Sequence, residues 1–233
     1  MKLSVVILNY NVKYFIDLCL QSVLAATTNL DSEIIVVDNA SVDGSVPWIK
    51  SQFPQVKLIE NQENLGFPKG NNIGVAQAKG EYVCILNPDT VIAEDTFFKA
   101  LEFMEQNQQL AIMGPKLIDG SGRFLKESKR GMPTPWVAFT KVTGLYKIDP
   151  QLFGKYYNLK LPESQPGVTD VLVGACMFMK RDHYLALNGF DEACFMYSDD
   201  IDLSYRSLQL GKSNFYNPDI NLSLIHISEP TRP

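Results

Sequence analysis

Four short polar clusters, each directly after an apolar run, carry the residue types that bind phosphate-rich ligands. They are residues 9–11, 38–45, 64–74 and 87–89, and each offers amide or carboxylate oxygens or glycine-exposed backbone. One such cluster is equally typical of a helix cap or a turn, which favour Asp, Asn, Ser and Gly. Four in succession predict a nucleotide cradle.

Carboxylates are the second chemical signal. Asp89 follows the fourth apolar run, where a divalent cation could be shared between one carboxylate and a diphosphate. Its structural alternative is a helix cap before residues 93–95. Further along, Asp199, Asp200 and Asp202 lie at a predicted helix start, where negative charge complements the helix dipole. Asp202 precedes Arg206 by four residues, which predicts a salt bridge, so Asp199 or Asp200 is left to accept a proton.

Missing motifs exclude several classes of enzyme. The chain has no Gly-x-Gly-x-x-Gly after the first apolar run and no P-loop, which argues against dinucleotide oxidoreductases and P-loop phosphotransferases. It also lacks a Gly-x-Ser-x-Gly elbow and has only two histidines, which disfavours a hydrolase triad. Its four cysteines show no Cys-x-x-Cys spacing and are expected to be reduced thiols of a cytosolic protein.

Composition indicates one elaborated folded domain. The 233 residues are 45% hydrophobic and 20% charged, as in ordinary globular proteins. A net charge of −5 argues against nucleic acid as a partner. No stretch approaches the roughly 18 apolar residues of a membrane span, so any membrane contact is expected to be peripheral.

The pattern of apolar residues predicts how these clusters are positioned. Short apolar runs at residues 3–8, 33–37, 56–59 and 82–86 alternate with helical spacing, which predicts a parallel sheet covered by helices. Open sheets of this kind bind ligands beyond the carboxyl ends of their strands. Beyond residue 115 we expect a hairpin turn at 119–122, an irregular region over 131–167, further strands near 171–179, and helices near 181–187 and 200–210.

Taken together, the motifs closely resemble those of family 2 glycosyltransferases, particularly the bacterial rhamnosyltransferase-like branch. The resemblance covers about residues 3–220 and rests on residues 6–11, 36–45, 64–74, 86–89, and 189–192 followed by 199–203. It implies an α/β GT-A (Rossmann-like) nucleotide-sugar-binding fold with a mixed, mostly parallel central sheet flanked by helices. A single domain over 1–221 is expected, with a nucleotide-binding half (about 1–115) and an acceptor-binding and catalytic half (about 116–221).

The resemblance also implies an activity. It is inverting, metal-dependent transfer of a sugar, with rhamnose one expected case, from a nucleoside-diphosphate sugar to a saccharide or lipid-linked glycan acceptor. This hexosyltransferase activity would serve cell-surface polysaccharide biosynthesis in the cytoplasm, with contact at the inner face of the membrane left open. The alternatives are a catalytically inactive nucleotide-sugar or carbohydrate-binding module and a nucleotidyltransferase.

Site roles follow from the matching positions. Asn9 and Tyr10 would line the nucleotide pocket and Asp38 would contact the base. Asn87 would lie near the ribose and Asp89 would bind Mg²⁺ or Mn²⁺. The general base would be Asp200, with Asp199 as the next candidate. The remaining expected donor contacts are Asn64, Gly66, Lys69, Asn71 and Asn72; Lys69 departs from the small residues common in the family and could equally be solvated.

The acceptor is expected to bind over residues 126–167, between the metal and base motifs. Trp136, Phe139, Tyr146, Tyr156 and Tyr157 are candidates for stacking on sugar or facing lipid, although a single aromatic residue of this kind is more often a packing residue.

The end of the chain is expected to be foreign. Residues 222–233 resemble the translation of a transposon-end adapter used in sequencing libraries, so they are excluded from fold reasoning. In the family, a metal-coordinating histidine normally follows soon after the match to residues 216–218. His226 lies near that place only by accident. We therefore expect a longer native chain and poor packing from about Leu222.

Overall fold

A mixed β-sheet flanked by helices forms the centre of the molecule in the computed structural model, which describes residues 1–195 and 198–225. The strands are β1 Leu3–Asn9, β2 Ser32–Asp38, β3 Lys57–Glu60, β4 Tyr82–Leu86, β5 Thr90–Ile92, β6 Leu110–Ile118, β7 Lys129–Arg130, β8 Gly167–Thr169, β9 Val171–Leu172, β10 Cys176–Lys180 and β11 Ser213–Leu224. The helices are α1 Lys13–Thr27, α2 Ser45–Gln52, α3 Gly66–Ala76, α4 Thr96–Gln106, α5 Pro135–Val142, α6 Pro150–Phe153, α7 Arg181–Ala186 and α8 Asp199–Gln209.

The first half of the chain forms the parallel part of the sheet, as predicted. Strands β3, β2, β1 and β4 lie side by side in that order, and all three pairings are parallel. Alternate residues of β1 belong to two apolar cores, with Val5 and Ile7 in one and Val6 and Leu8 in the other. Because the strand is covered on both faces, it reads as a continuous apolar run. The carboxyl ends of β1, β2 and β4 therefore meet at one edge.

The second half extends the sheet with mixed pairings. Strand β10 runs antiparallel to both β4 and β6, while β11 runs parallel to β6 and antiparallel to β5 and β8. The predicted turn at 119–122 is present, and an isolated bridge joins Ile118 to Phe124 beside it. This half brings β10 against β4, so the loop before β10 lies beside the residues that follow β4.

The region 131–167 is more regular than expected. It contains α5 and α6 along with short 3₁₀ turns. Helix α5 begins where Pro135 occupies the first turn and the Thr134 hydroxyl accepts a hydrogen bond from the Val137 amide at 3.3 Å. The eight-residue helix is too short, and too apolar on its outer face, for a helical period to stand out from the sequence.

The expectation that packing fails from Leu222 is wrong for the first three residues. Leu222, Ser223 and Leu224 continue β11 and pair with β5, and the Leu222 side chain is fully buried. An apolar Leu-Ser-Leu alternation satisfies a half-buried strand whatever its origin. The adapter origin of residues 222–233 stays a prediction, and His226 lies outside the described residues.

The remaining features of the fold concern the thiols and the lengths of the helices. Cys19, Cys84, Cys176 and Cys194 are all free thiols, and the first three are buried. Among residues 1–195 and 198–225, no helix has the length and apolarity needed to cross a bilayer.

Candidate active site

Buried polar contacts close the end of β1 against the end of β2. The side-chain amide of Asn9 donates to Asp38 Oδ1 at 2.6 Å and to the Ser45 hydroxyl at 2.8 Å. The backbone amide of Ser41 donates to Asp38 Oδ2 at 2.8 Å. Asn9 and Asp38 are both buried, whereas Tyr10 is 46% exposed. Asn9 and Asp38 therefore bind residues of the loop over 39–45 and hold it in place. The Tyr10 ring is accessible to a ligand at the end of β1.

The loop before α3 is tied to the same edge. The side-chain amide of Asn39 donates to Asn64 Oδ1 at 3.1 Å and to the Gly66 carbonyl at 3.2 Å. Gly66 has a φ of +80°, and a Cβ there would lie 2.5 Å from the Phe195 carbonyl oxygen. Only glycine fits this left-handed, crowded position. The Phe67 amide donates to the same carbonyl at 3.0 Å, which links the predicted donor cradle to the segment just before α8.

The predicted donor contacts on α3 are directed differently from one another. Lys69 is exposed, and Asn71 is fully buried with its Oδ1 lacking a hydrogen-bond partner. Asn72 instead joins α3 to the loop after α7. Its Oδ1 accepts from the Tyr184 hydroxyl at 2.5 Å and the Phe190 amide at 2.9 Å, and its Nδ2 donates to the Phe190 carbonyl at 3.0 Å. Asn72 therefore braces the fold.

Asn87 and Asp89 follow β4, and Asn87 lies against the loop before β10. The backbone amide of Asn87 donates to the Ala175 carbonyl at 2.9 Å. Asp89 is followed by strand β5, and α4 begins only at Thr96 with Asp95 at its N-cap position. The alternative that Asp89 is a helix cap is therefore wrong.

Asp199 and Asp200 begin α8 beside the same loop. Asp199 is buried, and the Asp200 side chain is 14% exposed. The Gly174 amide donates to Asp200 Oδ2 at 3.1 Å, and the Arg130 guanidinium forms an ion pair with the same oxygen. Gly174 and Ala175 are consecutive residues. The amide of the first binds the predicted base, Asp200, and the carbonyl of the second binds Asn87 of the predicted metal motif, so the two motifs are held close together.

The predicted Asp202–Arg206 salt bridge is confirmed. Arg206 Nε lies 2.8 Å from Asp202 Oδ2, and Arg206 also donates to the Gly189 carbonyl at 2.8 Å. These bonds fasten α8 to the loop after α7. Asp202 is a structural residue, which leaves Asp199 and Asp200 as the acids at the edge of the site.

Arg130 is the site residue that sequence reasoning missed. Its side chain is only 12% exposed, and its Nε is buried without a hydrogen-bond partner. In the sequence, Arg130 is one basic residue in a Lys-rich run, and such a run is equally typical of a solvated surface. The neighbouring Lys129 is buried as well, and this burial lowers its pKa, while its ammonium donates to the Asn158 carbonyl at 3.0 Å.

The predicted acceptor aromatics divide into two sets. Trp136 and Phe139 are exposed, whereas Tyr146, Tyr156 and Tyr157 are partly buried and form edge-to-face contacts. Burial raises the pKa of Tyr156, but hydrogen bonding and charge from Lys141 and Arg130 outweigh it, so the net shift is downward. Tyr156 thus lies beside the cation that pairs with Asp200.

A divalent cation fits the sheet edge beside Asn87 and Asp89 only if a bound diphosphate supplies some of its ligands. Within residues 1–195 and 198–225, no three His, Cys, Asp or Glu side chains converge as a ready-made cation site. Asp89 supplies one carboxylate, and Asn87 Oδ1 nearby is buried without a hydrogen-bond partner. Mg²⁺ is commonly held by one or two carboxylates together with substrate phosphates, so the donor set fits a cation completed by a diphosphate.

Comparisons with known proteins agree on one family. The model for "Glycosyl transferase family 2" matches residues 4–186. The low-salt glycan biosynthesis hexosyltransferase Agl10 of Haloferax volcanii is 28% identical over 76% of this chain and 53% of its own length. The N-acetylglucosaminyl-diphospho-decaprenol L-rhamnosyltransferase of Mycobacterium tuberculosis is 26% identical over 84% of this chain and 67% of its own length. The chain therefore spans about half to two thirds of these relatives.

Solved structures show the same fold. The mannosyltransferase PcManGT of Pyrobaculum calidifontis, solved with GDP-Man and Mn²⁺, matches 99% of this chain and 58% of its own with a TM-score of 0.69 and 22% identity. Residues 1–349 of Staphylococcus aureus TarS match 97% of this chain and 60% of their own with a TM-score of 0.66 and 18% identity. The predicted GT-A fold is confirmed.

Proposed function

This chain belongs to glycosyl transferase family 2, and from that membership we propose that it is an inverting, metal-dependent hexosyltransferase. Its donor would be a nucleoside-diphosphate sugar, and rhamnose is one candidate sugar. Its acceptor would be a saccharide or lipid-linked glycan of cell-surface polysaccharide biosynthesis, on the cytoplasmic face of the membrane. The relatives named as a rhamnosyltransferase on a diphospho-decaprenol and as a poly(ribitol-phosphate) β-glucosyltransferase support this class of acceptor.

One structural relationship carries the proposal. The Gly174 amide donates to Asp200, and the carbonyl of the following residue, Ala175, accepts from the backbone amide of Asn87. A base and a diphosphate-binding motif held by adjacent backbone groups suit in-line attack, in which acceptor and leaving group lie on opposite sides of the anomeric carbon. A module that only binds the donor has no need for the first of these two contacts.

The chemistry is proposed as a single displacement. The Asp200 carboxylate takes the proton of an acceptor hydroxyl, the acceptor oxygen forms a bond to the anomeric carbon, and the bond from that carbon to the diphosphate breaks. A cation bound at Asp89 would neutralise the charge that develops on the leaving diphosphate. Asn87 and Tyr10 would contact the nucleoside, while Asn9, Asp38 and Asn64 hold the loops that surround it.

Donor binding can be tested first. Thermal unfolding in a panel of nucleoside-diphosphate sugars, each with and without Mn²⁺, is expected to give a metal-dependent rise in melting temperature for one donor. Release of nucleoside diphosphate from that donor in the presence of cell-envelope glycan then tests transfer. Donor binding without any release would favour the binding module, and pyrophosphate release from a nucleoside triphosphate and a sugar phosphate would favour a nucleotidyltransferase.

A further inference from the structure

Large apolar side chains are concentrated on the surface of one segment, residues 131–160, which we call the aromatic insert. Within it the exposed fractions are 60% for Trp136, 51% for Phe139, 86% for Val142, 78% for Ile148 and 68% for Leu152. Trp136, Phe139 and Val142 follow each other at intervals of three along α5, so they share one side of that helix. The opposite side, with Val137 and Thr140, is buried.

This exposed face is supported by packing beneath it. The Trp136 ring stacks on Phe139 with centroids 5.7 Å apart and contacts Phe153 at 6.3 Å. Phe153 ends α6, which carries the exposed Leu152. Four of the five apolar residues are therefore displayed on helices α5 and α6, and a water-exposed face of this kind usually marks an interaction surface.

The charge of the aromatic insert is opposite to that of the rest of the molecule. It contains four lysines (Lys141, Lys147, Lys155 and Lys160) and one acid, Asp149, a net charge of +3 in a chain of −5, so the other residues sum to −8. Lys147, Lys155 and Lys160 are exposed. Basic residues interleaved with Trp, Phe and aliphatic side chains are typical of segments that lie in the interface of anionic bilayers.

The aromatic insert is attached directly to the residue that pairs with the proposed base. It begins immediately after Arg130, and the Gly131 amide donates to the carbonyls of Lys155 and Tyr156 at 3.1 and 3.0 Å. The Met132 amide donates to Asp170 Oδ2 at 2.9 Å, close to β9. The aromatic insert is therefore joined directly to Arg130, which pairs with Asp200.

We propose that the aromatic insert is a docking surface for a lipid bilayer with anionic headgroups. Trp136, Phe139, Val142, Ile148 and Leu152 enter the boundary between headgroups and acyl chains, and the exposed lysines contact lipid phosphates. This proposal rests on the proposed function and extends it. It assigns the membrane as the partner that delivers a lipid-linked acceptor to Asp200. Charge favours this occupant over a second copy, since two copies of the aromatic insert, each with a net charge of +3, would repel each other.

Vesicle sedimentation tests the proposal without reference to transfer. Binding to vesicles of phosphatidylcholine mixed with phosphatidylglycerol is expected to exceed binding to phosphatidylcholine alone and to fall with salt. Replacing Trp136 and Phe139 together by Ser should weaken binding at least about tenfold, because each large apolar side chain contributes to insertion. The matched control is Phe98→Ser on α4, since Phe98 is 62% exposed outside the aromatic insert.

Two further measurements keep the outcome decisive. Replacing Lys147 and Lys155 by Glu should weaken binding at least about tenfold, and only to the anionic vesicles. The chain has two tryptophans, so in a Trp48→Phe background the fluorescence of Trp136 should shift to the blue on adding anionic vesicles. Donor-induced thermal shifts must persist in every variant, which separates failure of docking from failure of the proposed function.

Any one of three results would overturn the proposal. The first is absence of vesicle binding by the unmodified chain, and the second is an equal loss of binding in Phe98→Ser. The third is a concentration-dependent dimer that the Trp136 and Phe139 double variant abolishes, which would assign the face to a second copy.

Discussion

Arg130 and Asp200 form an ion pair across 70 positions of sequence, and the same Asp200 oxygen also accepts a hydrogen bond from the Gly174 amide. Both side chains are largely buried, with 12% and 14% exposed. Two donors on one oxygen restrict the rotation of the carboxylate. Arg130 is therefore a positioning residue for the proposed base.

Replacing Arg130 by Met should lower kcat about tenfold or more, since Asp200 then loses one of the two orienting donors that the described residues give it. Arg130→Lys should recover part of the loss, because it restores a cation without the guanidinium fork. The measurement is steady-state transfer with saturating donor, and Arg123→Met, on the exposed turn near residue 122, is the control. A fall in melting temperature with unchanged kcat would make Arg130 merely structural.

Asp200→Asn should reduce turnover about 100-fold or more, because it removes a proton acceptor while changing little volume. Donor affinity, measured by calorimetry, should stay nearly intact. Asp202→Asn is the matched control on the same helix, since Asp202 pairs with Arg206 and is given no catalytic part. Turnover of Asp200→Asn within a few-fold of the unmodified chain would pass the role of base to Asp199.

Asp89→Ala should weaken Mn²⁺-dependent binding of a nucleoside diphosphate as well as turnover, because the carboxylate would share the cation with the diphosphate. Isothermal titration with and without Mn²⁺ measures the effect. Asp95→Ala is the control, since Asp95 lies beyond β5 and forms an exposed pair with Lys99. Unchanged affinity in Asp89→Ala would remove Asp89 from the metal site.

Asn72→Ala should lower the free energy of unfolding by about 1–3 kcal/mol, because the Tyr184 hydroxyl and the Phe190 amide both lose their partly buried acceptor. Urea unfolding gives the value, and donor affinity in the folded variant should be little changed. The reverse pattern, full stability with weakened donor binding, would return Asn72 to the donor site.

Acid should destabilise the fold through His183. Burial is the larger cause that lowers the pKa of His183, and the charge of Lys212 adds to it. The unfolded chain, with a histidine pKa of about 6.5, then binds more protons than the native state below that pH. The free energy of unfolding should therefore fall as pH drops from about 7 towards 5. His183→Gln should flatten that part of the profile; since His226 remains in both proteins, an unchanged slope would exclude His183 as its source.

The strands of the first half of the chain and the polar residues that follow them were predictable because their signals are local. A strand covered on both faces is apolar throughout, and its end changes to turn residues. Val6 and Leu8 therefore indicate the buried strand, and Asn9 indicates its end. The Asp202–Arg206 bridge was predictable for a similar reason: a helix places residues four apart on the same face.

Tertiary structure alone decided which polar residues are bound to distant parts of the protein. Asn72 and Asp89 look equally suited to a site in the sequence, yet Asn72 is bound to Tyr184 and Phe190, more than 110 positions away. Arg130 reads as a surface cation until β7 brings it to Asp200, and Leu222 reads as part of a foreign tail until β11 buries it. Such contacts depend on how distant segments pack, and neither local propensity nor periodicity carries that information.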